Sequence, residues 1–520
     1  MNPDSIAADG ELQPLKPTIA GMTTKVVKGT LWTMIGLTVP ILFSLFATPL
    51  NTRLLGAEGY GLFVLVLLIP AYFSFADFGM NIASTKFASA AYAEGDPEKE
   101  ARVVRTAGFI ALISSLPFAA AIAIFSLQIV ELFNVPPHLV SEAALALKIA
   151  SVTFVFNFLA SIFNSPEVTR LRMDLNISVT SGIRLAGIIL TPIVIYLGGG
   201  VLGAVSVALA VSILTLAGHM IVSTKLLPEL MGSSIDRSLV RPMLKFGGSL
   251  VVAGIAAVLL TNLERFVLTR ATSVETLAYY SIAATFAAML TLFSASIVQS
   301  LMPAFSQLQS EENRTALNAL YSRGIRLTLV WLVPAAVFMV LVGRPFFTYW
   351  FGPDFGREST VPFYIIIAGF LFNVLAYFPY SAIMASGRSD VFAKIYWAEL
   401  VPFIFLTWLL ATRYGAVGAA LAWSSRVVFD ALWLFWFAHK VGGVSYRHVN
   451  PGVFAGAVGI MLIPLAALVW FQELSFQVIL ITAVCAVTYA LIAWKKALDD
   501  DEIAWAKAKA AAMISSVRAS

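Results

Sequence analysis

The segment WSSRVVFDALW, Trp423 to Trp433, sets a guanidinium and a carboxylate, Arg426 and Asp430, four residues apart inside the apolar run 415–438. At that spacing they share a helix face and can pair with each other, which lowers the cost of burying both without removing it. They can equally line a water-filled passage, with the arginine receiving an anion and the aspartate tuning it. A charge at mid-bilayer costs at least about 2.5 to 3.5 kcal/mol, so each needs a partner or water. The residues alone leave both arrangements open.

Other ionisable groups in or at the edges of apolar runs are Asp77, Lys148, Arg184, Glu264 and Arg265, with Arg53 and Arg270 at helix ends. Arginine dominates, and its fork keeps its charge at any working pH and matches two oxygens of a phosphate or diphosphate. A lumen lined by Arg53, Arg184, Arg265, Arg270 and Arg426 therefore suits a large polyanion or a lipid diphosphate head group. Arg53 and Arg270 suit snorkelling to the outer interface equally well, as does Lys148 near its helix end. Glu264, in TNLERFVL, is a candidate for ion coupling or for an ion pair with a neighbouring arginine. Asp430 and Asp77 are further coupling candidates, although Asp77, in FADFGMN, also reads as a helix-end anchor beside Gly79.

Enzymatic motifs fail on context. GGGVLG, Gly198 to Gly203, has the G-x-G-x-x-G spelling but follows no strand and reads as a tight turn between membrane helices. DDDE, Asp499 to Glu502, reads as the cap of a terminal amphipathic helix. There is no Walker motif, the four histidines are scattered, and the single cysteine, Cys485, excludes a disulfide framework within one chain. No cofactor or metal is expected, and uphill transport would draw on ion gradients or membrane potential.

The elements that must position these groups are membrane helices. With 59% hydrophobic and 12% charged residues and a mean hydropathy of +0.85, the chain has too little polar surface for a soluble globule. About fourteen runs reach the roughly 17 to 25 apolar residues a bilayer requires. They are 29–50, 59–80, 107–130, 142–163, 177–198, 201–222, 246–268, 278–300, 326–344, 361–383, 394–412, 415–438, 452–471 and 475–494. With a cytoplasmic N-terminus, roughly 25 Lys and Arg fall inside, about 6 outside and about 3 within spans, so the net charge of +5 reads as a topology signal and not as a nucleic-acid footprint. Both termini are then cytoplasmic.

The chain also repeats itself. RLLGAE (Arg53 to Glu58) returns as RATSVE (Arg270 to Glu275), ELFNVP as YWFGPD, RMD as RSD, and VLGAVSVALA as AVGAALAWSS, at a near-constant offset. The expected organisation is a cytoplasmic tail 1–28, a six-helix lobe 29–225, a linker 226–242, a second six-helix lobe 243–440, an additional helical pair 441–496 and a tail 497–520. Parallel repeats of this kind place a site between halves that rock about it.

The stretch NTRLLGAEGYGLFVLVLLIPAYFSFADFGMNIASTKFAS, together with TNLERFVLTRATSVETLAYYSIA, resembles polysaccharide or oligosaccharide-lipid flippases, the Wzx-like branch of the multidrug/oligosaccharidyl-lipid/polysaccharide exporter superfamily. The likeness covers about residues 25 to 440. It implies an all-α, two-lobed bundle with a central cationic cavity that carries an undecaprenyl-diphosphate-linked glycan across the inner membrane. Membrane lipids and other polysaccharide-assembly proteins would be its partners. Arg53 matches the signature, and Glu264 stands where that pattern carries Asp. Rival readings are a lipid II flippase, a multidrug antiporter with acidic cavities, and a membrane glycan polymerase or ligase. The last would need catalytic groups in an outward loop such as 344–359, which offers Asp354 and Glu358.

Overall fold

The computed structural model describes residues 19–291, 305, 314–388, 390–441, 444, 451–471 and 475–492. Among these, every regular element is helical. The tail 497–520 and residues 1–18 of the expected N-terminal tail lie outside the described residues, as does part of the expected span 278–300.

Among the described residues, seven stretches are long and apolar enough to cross a membrane. Three of them, 32–77, 173–226 and 394–440, run to 46, 54 and 47 residues, more than twice the roughly 20 that span a bilayer. Each is interrupted at a glycine in a backbone region that side chains with a Cβ avoid: Gly56 (φ 70°), Gly198 (φ 92°) and Gly415 (φ 54°). These breaks fall where the sequence pattern separates 29–50 from 59–80, 177–198 from 201–222, and 394–412 from 415–438. Large apolar side chains such as Ile124, Phe338, Val401, Phe405 and Trp470 are exposed on the outside of the bundle, as a chain solvated by acyl groups requires.

Helix starts carry the expected chemistry. The Asp96 carboxylate accepts from the Lys99 amide at 2.8 Å, with Pro97 at the first helical position of Pro97–Ile124. Asp236 caps Arg237–Ala271, accepting from the Ser238 hydroxyl at 2.5 Å and from the Ser238 amide at 2.9 Å, and these contacts, the hydroxyl first, hold its carboxyl below the usual aspartate range. Ser273 caps Val274–Ala287 in the same way. The helices extend past the apolar runs: Pro97–Ile124 and Arg314–Phe351 begin about three turns before the runs 107–130 and 326–344. The polar flanks EKEAR and RTALNALYSR keep a helical period, so the helix outlasts the hydrophobic signal.

Elements before Leu226 meet those after Arg237 along a seam. Gly61 lies against the Val274 main chain, and Gly79 against the main chain of Gly247. These contacts lie at opposite ends of the segment 61–79, whose α-helix ends at Ala71 and is followed by the short turn Ser74–Asp77. Near the first end, Trp350 Nε1 donates to the Leu45 carbonyl at 2.9 Å, Arg53 donates to the Tyr349 carbonyl, and Asn134 Nδ2 donates to the carbonyls of Thr272 (2.7 Å) and Arg270 (3.2 Å). Near the second, Lys86 sits 3.8 Å above the Phe246 ring. Arg105 there ties the connecting segment to Pro97–Ile124, donating to the carbonyls of Glu229 and Ser234 and to Glu98.

The terminal helices Pro451–Phe471 and Phe476–Ile492 dock on Arg314–Phe351. Val333, Val337 and Leu341 pack with Met461, Val478 and Cys485, and the Tyr489 hydroxyl donates to the Leu329 carbonyl at 2.9 Å.

Candidate functional site

Arg426 and Asp430 belong to the second arm of the helix Asp390–Lys440, which folds back on its first arm at Gly415. The return brings Gly418 against the Leu410 main chain and Arg426 against Glu399. Arg426 therefore pairs across the fold, not along its own helix: its Nη1 lies 3.6 Å from Glu399 Oε2. Its Cζ also stands 5.2 Å from the Phe403 ring centroid. Asp430 stays one turn on, with its Oδ1 buried and without a hydrogen-bond partner. Ser424 pins this arm by donating to the Ile365 carbonyl at 2.9 Å.

Arg426 and Asp430 open onto a cavity of about 410 Å³ whose walls also carry Asn373, Tyr377, Tyr380 and Tyr396. A guanidinium, an amide and several phenols around one wet space can bind phosphate oxygens and sugar hydroxyls together. The cavity lies within the portion after Arg237, its walls coming from the helices Arg237–Ala271, Thr360–Ala385 and Asp390–Lys440. A smaller cavity, about 150 Å³, lies before Leu226 and is lined by Pro70, Ser74, Thr153, Phe154 and Asn157, with no ionisable wall. Asn157 and Asn373 occupy matching places in the sequence repeat.

Glu264 is buried beside the Tyr280 phenol, its Oε2 without a hydrogen-bond partner and Arg265 Nε 3.9 Å from its Oε1. The charge of Arg426 reaches Glu264, so Glu264, Arg265, Arg426, Asp430 and Glu399 form one electrostatic group. Tyr60 and Tyr72, from before the seam, lie within the field of Arg265, and Tyr72 donates to the Asn262 carbonyl at 2.6 Å. Arg53 is exposed and engaged with the Tyr349 carbonyl, and Arg184 and Arg270 are exposed on their helices. Asp77 accepts from the amides of Gly79 (2.8 Å) and Asn81 (3.4 Å), which makes it an anchor for the Gly79 break. The expected loop 344–359 is helical on either side of a break at Gly352, and in it Asp354 and Glu358 both bind Arg357, at 3.1 and 2.9 Å.

Two groups escape sequence reasoning. Glu399 sits in the expected span 394–412, in YWAELVP, and the rule that singles out Glu264, an acid inside an apolar run, also finds it. His219 looks isolated in sequence yet bonds Glu167 at 3.0 Å through Nδ1 and Thr180 at 3.1 Å through Nε2, with Glu167 and His219 both buried. Ser223 completes the cluster by donating to the Phe163 carbonyl at 2.6 Å. Glu167→Ala strands a buried imidazole, and the expected result is a thermal melt lowered by the equivalent of about 2 kcal/mol. An unshifted melt in detergent would show that water replaces the carboxylate.

Residues 26–309, a little over half of the 520, match the model of a family described as polysaccharide biosynthesis protein. The chain is 25% identical over 427 residues to the "Putative O-antigen transporter" of Shigella flexneri, covering 81% of this chain and 99% of that one. Its fold is similar to that of the lipid II flippase MurJ in an inward closed conformation, with TM-score 0.68 and 16% identity over 90% of this chain and 99% of the other. It is also similar to an inward-facing multidrug resistance MATE family transporter of the MOP superfamily, with TM-score 0.60 and 18% identity over 82% and 99%.

Proposed function

Because the chain belongs to the polysaccharide biosynthesis protein family, we propose that it is a flippase, not an enzyme, moving a polyprenyl-diphosphate-linked oligosaccharide from the cytoplasmic to the outer face of the inner membrane. The work is done by alternating access between the six-helix lobes 29–225 and 243–440, joined by the linker 226–242 and followed by the pair 441–496, with fourteen spans and both termini cytoplasmic. The observation that carries this reading is the cavity where Arg426 stands among Asn373 and three tyrosines. Arg426 receives the diphosphate, Arg265 extends the positive field toward the seam, and Arg53, Arg184 and Arg270 draw the head group along exposed helix surfaces. Glu264 and Asp430 are the acids placed to couple transport to an ion, while Asp77 holds the Gly79 break.

The fold likeness to a lipid II flippase favours a second reading in which the cargo is another polyprenyl-diphosphate head group. The test uses purified protein in phospholipid vesicles carrying a fluorescent undecaprenyl-diphosphate oligosaccharide, with accessibility to an impermeant quencher recorded over time. Protein-dependent exchange between leaflets is expected, with no effect on a lipophilic cationic dye. Movement of the dye and not of the glycan would replace this reading with the multidrug one, and a preference for lipid II would select the second cargo.

A further inference from the structure

Glu399 and Arg426 form a pair of an unusual kind for a buried site. At 3.6 Å the contact is electrostatic, and neither Glu399 oxygen makes a hydrogen bond. The Arg426 Nε is likewise buried without an acceptor. A structural ion pair in this setting normally closes to a forked, hydrogen-bonded geometry, because only that offsets desolvation. Here the guanidinium is held by charge while its donors stay unfilled and its edge faces a wet cavity.

The charges around Glu399 come from several elements. Facing it are Arg426 and Asp430 from the second arm and Tyr396 from its own arm. Within the field of Arg426 stand Glu264 and its neighbour Arg265 from Arg237–Ala271, and Tyr377 and Tyr380 from Thr360–Ala385 line the cavity onto which Arg426 opens. Glu264 in turn lies beside the phenol of Tyr280 from Val274–Ala287. Three carboxylates thus share two guanidinium groups, and the ionised set is already short of positive charge.

We propose that Glu399 is the resident counter-ion of Arg426, that the arriving anionic head group displaces it, and that the displaced carboxylate takes up one proton from water. Written out, Glu399 carboxylate paired with Arg426, plus a diphosphate dianion and one proton, gives neutral Glu399 and the diphosphate paired with Arg426. No covalent bond to the substrate forms or breaks. The step rests on the reading that Arg426 receives the diphosphate, and its driving force is geometric. A carboxylate 7% exposed whose oxygens accept no hydrogen bond loses, with its cation, the contact that holds its charge, while two new negative charges enter beside Asp430. Linkage then makes the effect reciprocal, so protonation of Glu399 strengthens anion binding as much as anion binding favours protonation. Proton and head group cross in the same direction, and the loaded complex carries one negative charge fewer through the low-dielectric interior.

The test is calorimetric titration of the full chain in detergent with farnesyl diphosphate, at one pH in two buffers of different ionisation enthalpy. The ligand's own protonation change cancels in the difference between wild type and Glu399→Gln. The expected result is about one more proton taken up per ligand by wild type and roughly tenfold tighter binding to Glu399→Gln. Equal proton counts in the two proteins would overturn the proposal. Should Glu399→Gln fail to fold, Glu399→Asp serves: the shorter acid holds Arg426 less closely and keeps its proton site, so tighter binding with uptake retained supports the proposal, and unchanged or weaker binding overturns it. No binding to wild type, or unimpaired binding to Arg426→Leu, would instead overturn the reading that Arg426 receives the diphosphate.

Discussion

Replacing Arg426 by leucine together with Glu399 by glutamine is expected to leave folding and insertion intact and to lower leaflet exchange of the lipid-linked glycan about a hundredfold, the scale of losing one partner of a buried charge pair. The double change is needed because Arg426→Leu alone leaves Glu399 buried beside Asp430 with no cation, a fault that costs roughly 3 to 5 kcal/mol and would confound transport with stability. Removing both charges keeps the site electrically closer to balance and similar in volume. Arg426→Lys is the graded control, since a point charge on a flexible stem keeps the attraction but not the fork, and an intermediate rate is expected. Measurement needs a melt and a size-exclusion profile beside the vesicle assay. Transport at the wild-type rate by a well-folded double variant would make the pair purely structural.

Gly61→Val should have a second large effect, of a different kind. A Cβ at Gly61 runs into the Val274 main-chain carbonyl, which cannot rotate aside as a side chain can. Gly61 sits within a regular helix, so valine does not spoil its local structure. What it prevents is the close approach of the two portions at that end of the seam. The expected outcome is a folded protein in which spin labels at Leu54 and Tyr349, in a Cys485→Ser background, sit several ångströms farther apart than in the otherwise unchanged chain, with transport down about tenfold or more. An unaltered distance distribution and rate would mean that the seam relaxes locally and that this contact does not define a conformational state.

The helical architecture was legible because each bilayer-length run announces itself by composition, and because the breaks at Gly56, Gly198 and Gly415 coincide with Gly-bearing interruptions in the pattern. Helix extensions such as Pro97 to Arg105 are silent in hydropathy and were legible only in the helical period of their polar residues. At the site, spacing put Arg426 and Asp430 on one arm and left their mutual pairing and a shared passage both open, because an i, i+4 rule sees only one helix. The return at Gly415 brings Glu399 to the guanidinium instead, a relation 27 positions away in sequence. His219 was unreadable for the same reason: its partner Glu167 lies 52 positions earlier, beyond the reach of any local pattern. The gathering of arginines was legible only as chemistry; in the structure Arg265 and Arg426 share the field around Glu264, while Arg53, Arg184 and Arg270 are exposed.

Arg53, Asn134, Tyr72 and Trp350 all cross the seam by donating to carbonyls of Tyr349, Arg270, Thr272, Asn262 and Leu45. Every residue type offers the same acceptor, so the partner positions are free to drift while the donors are not. Across homologues, these contacts should leave no covariation, and contact maps inferred from paired substitutions should underestimate how tightly the two portions are joined. The trace they do leave is one-sided: a fixed donor facing a variable column.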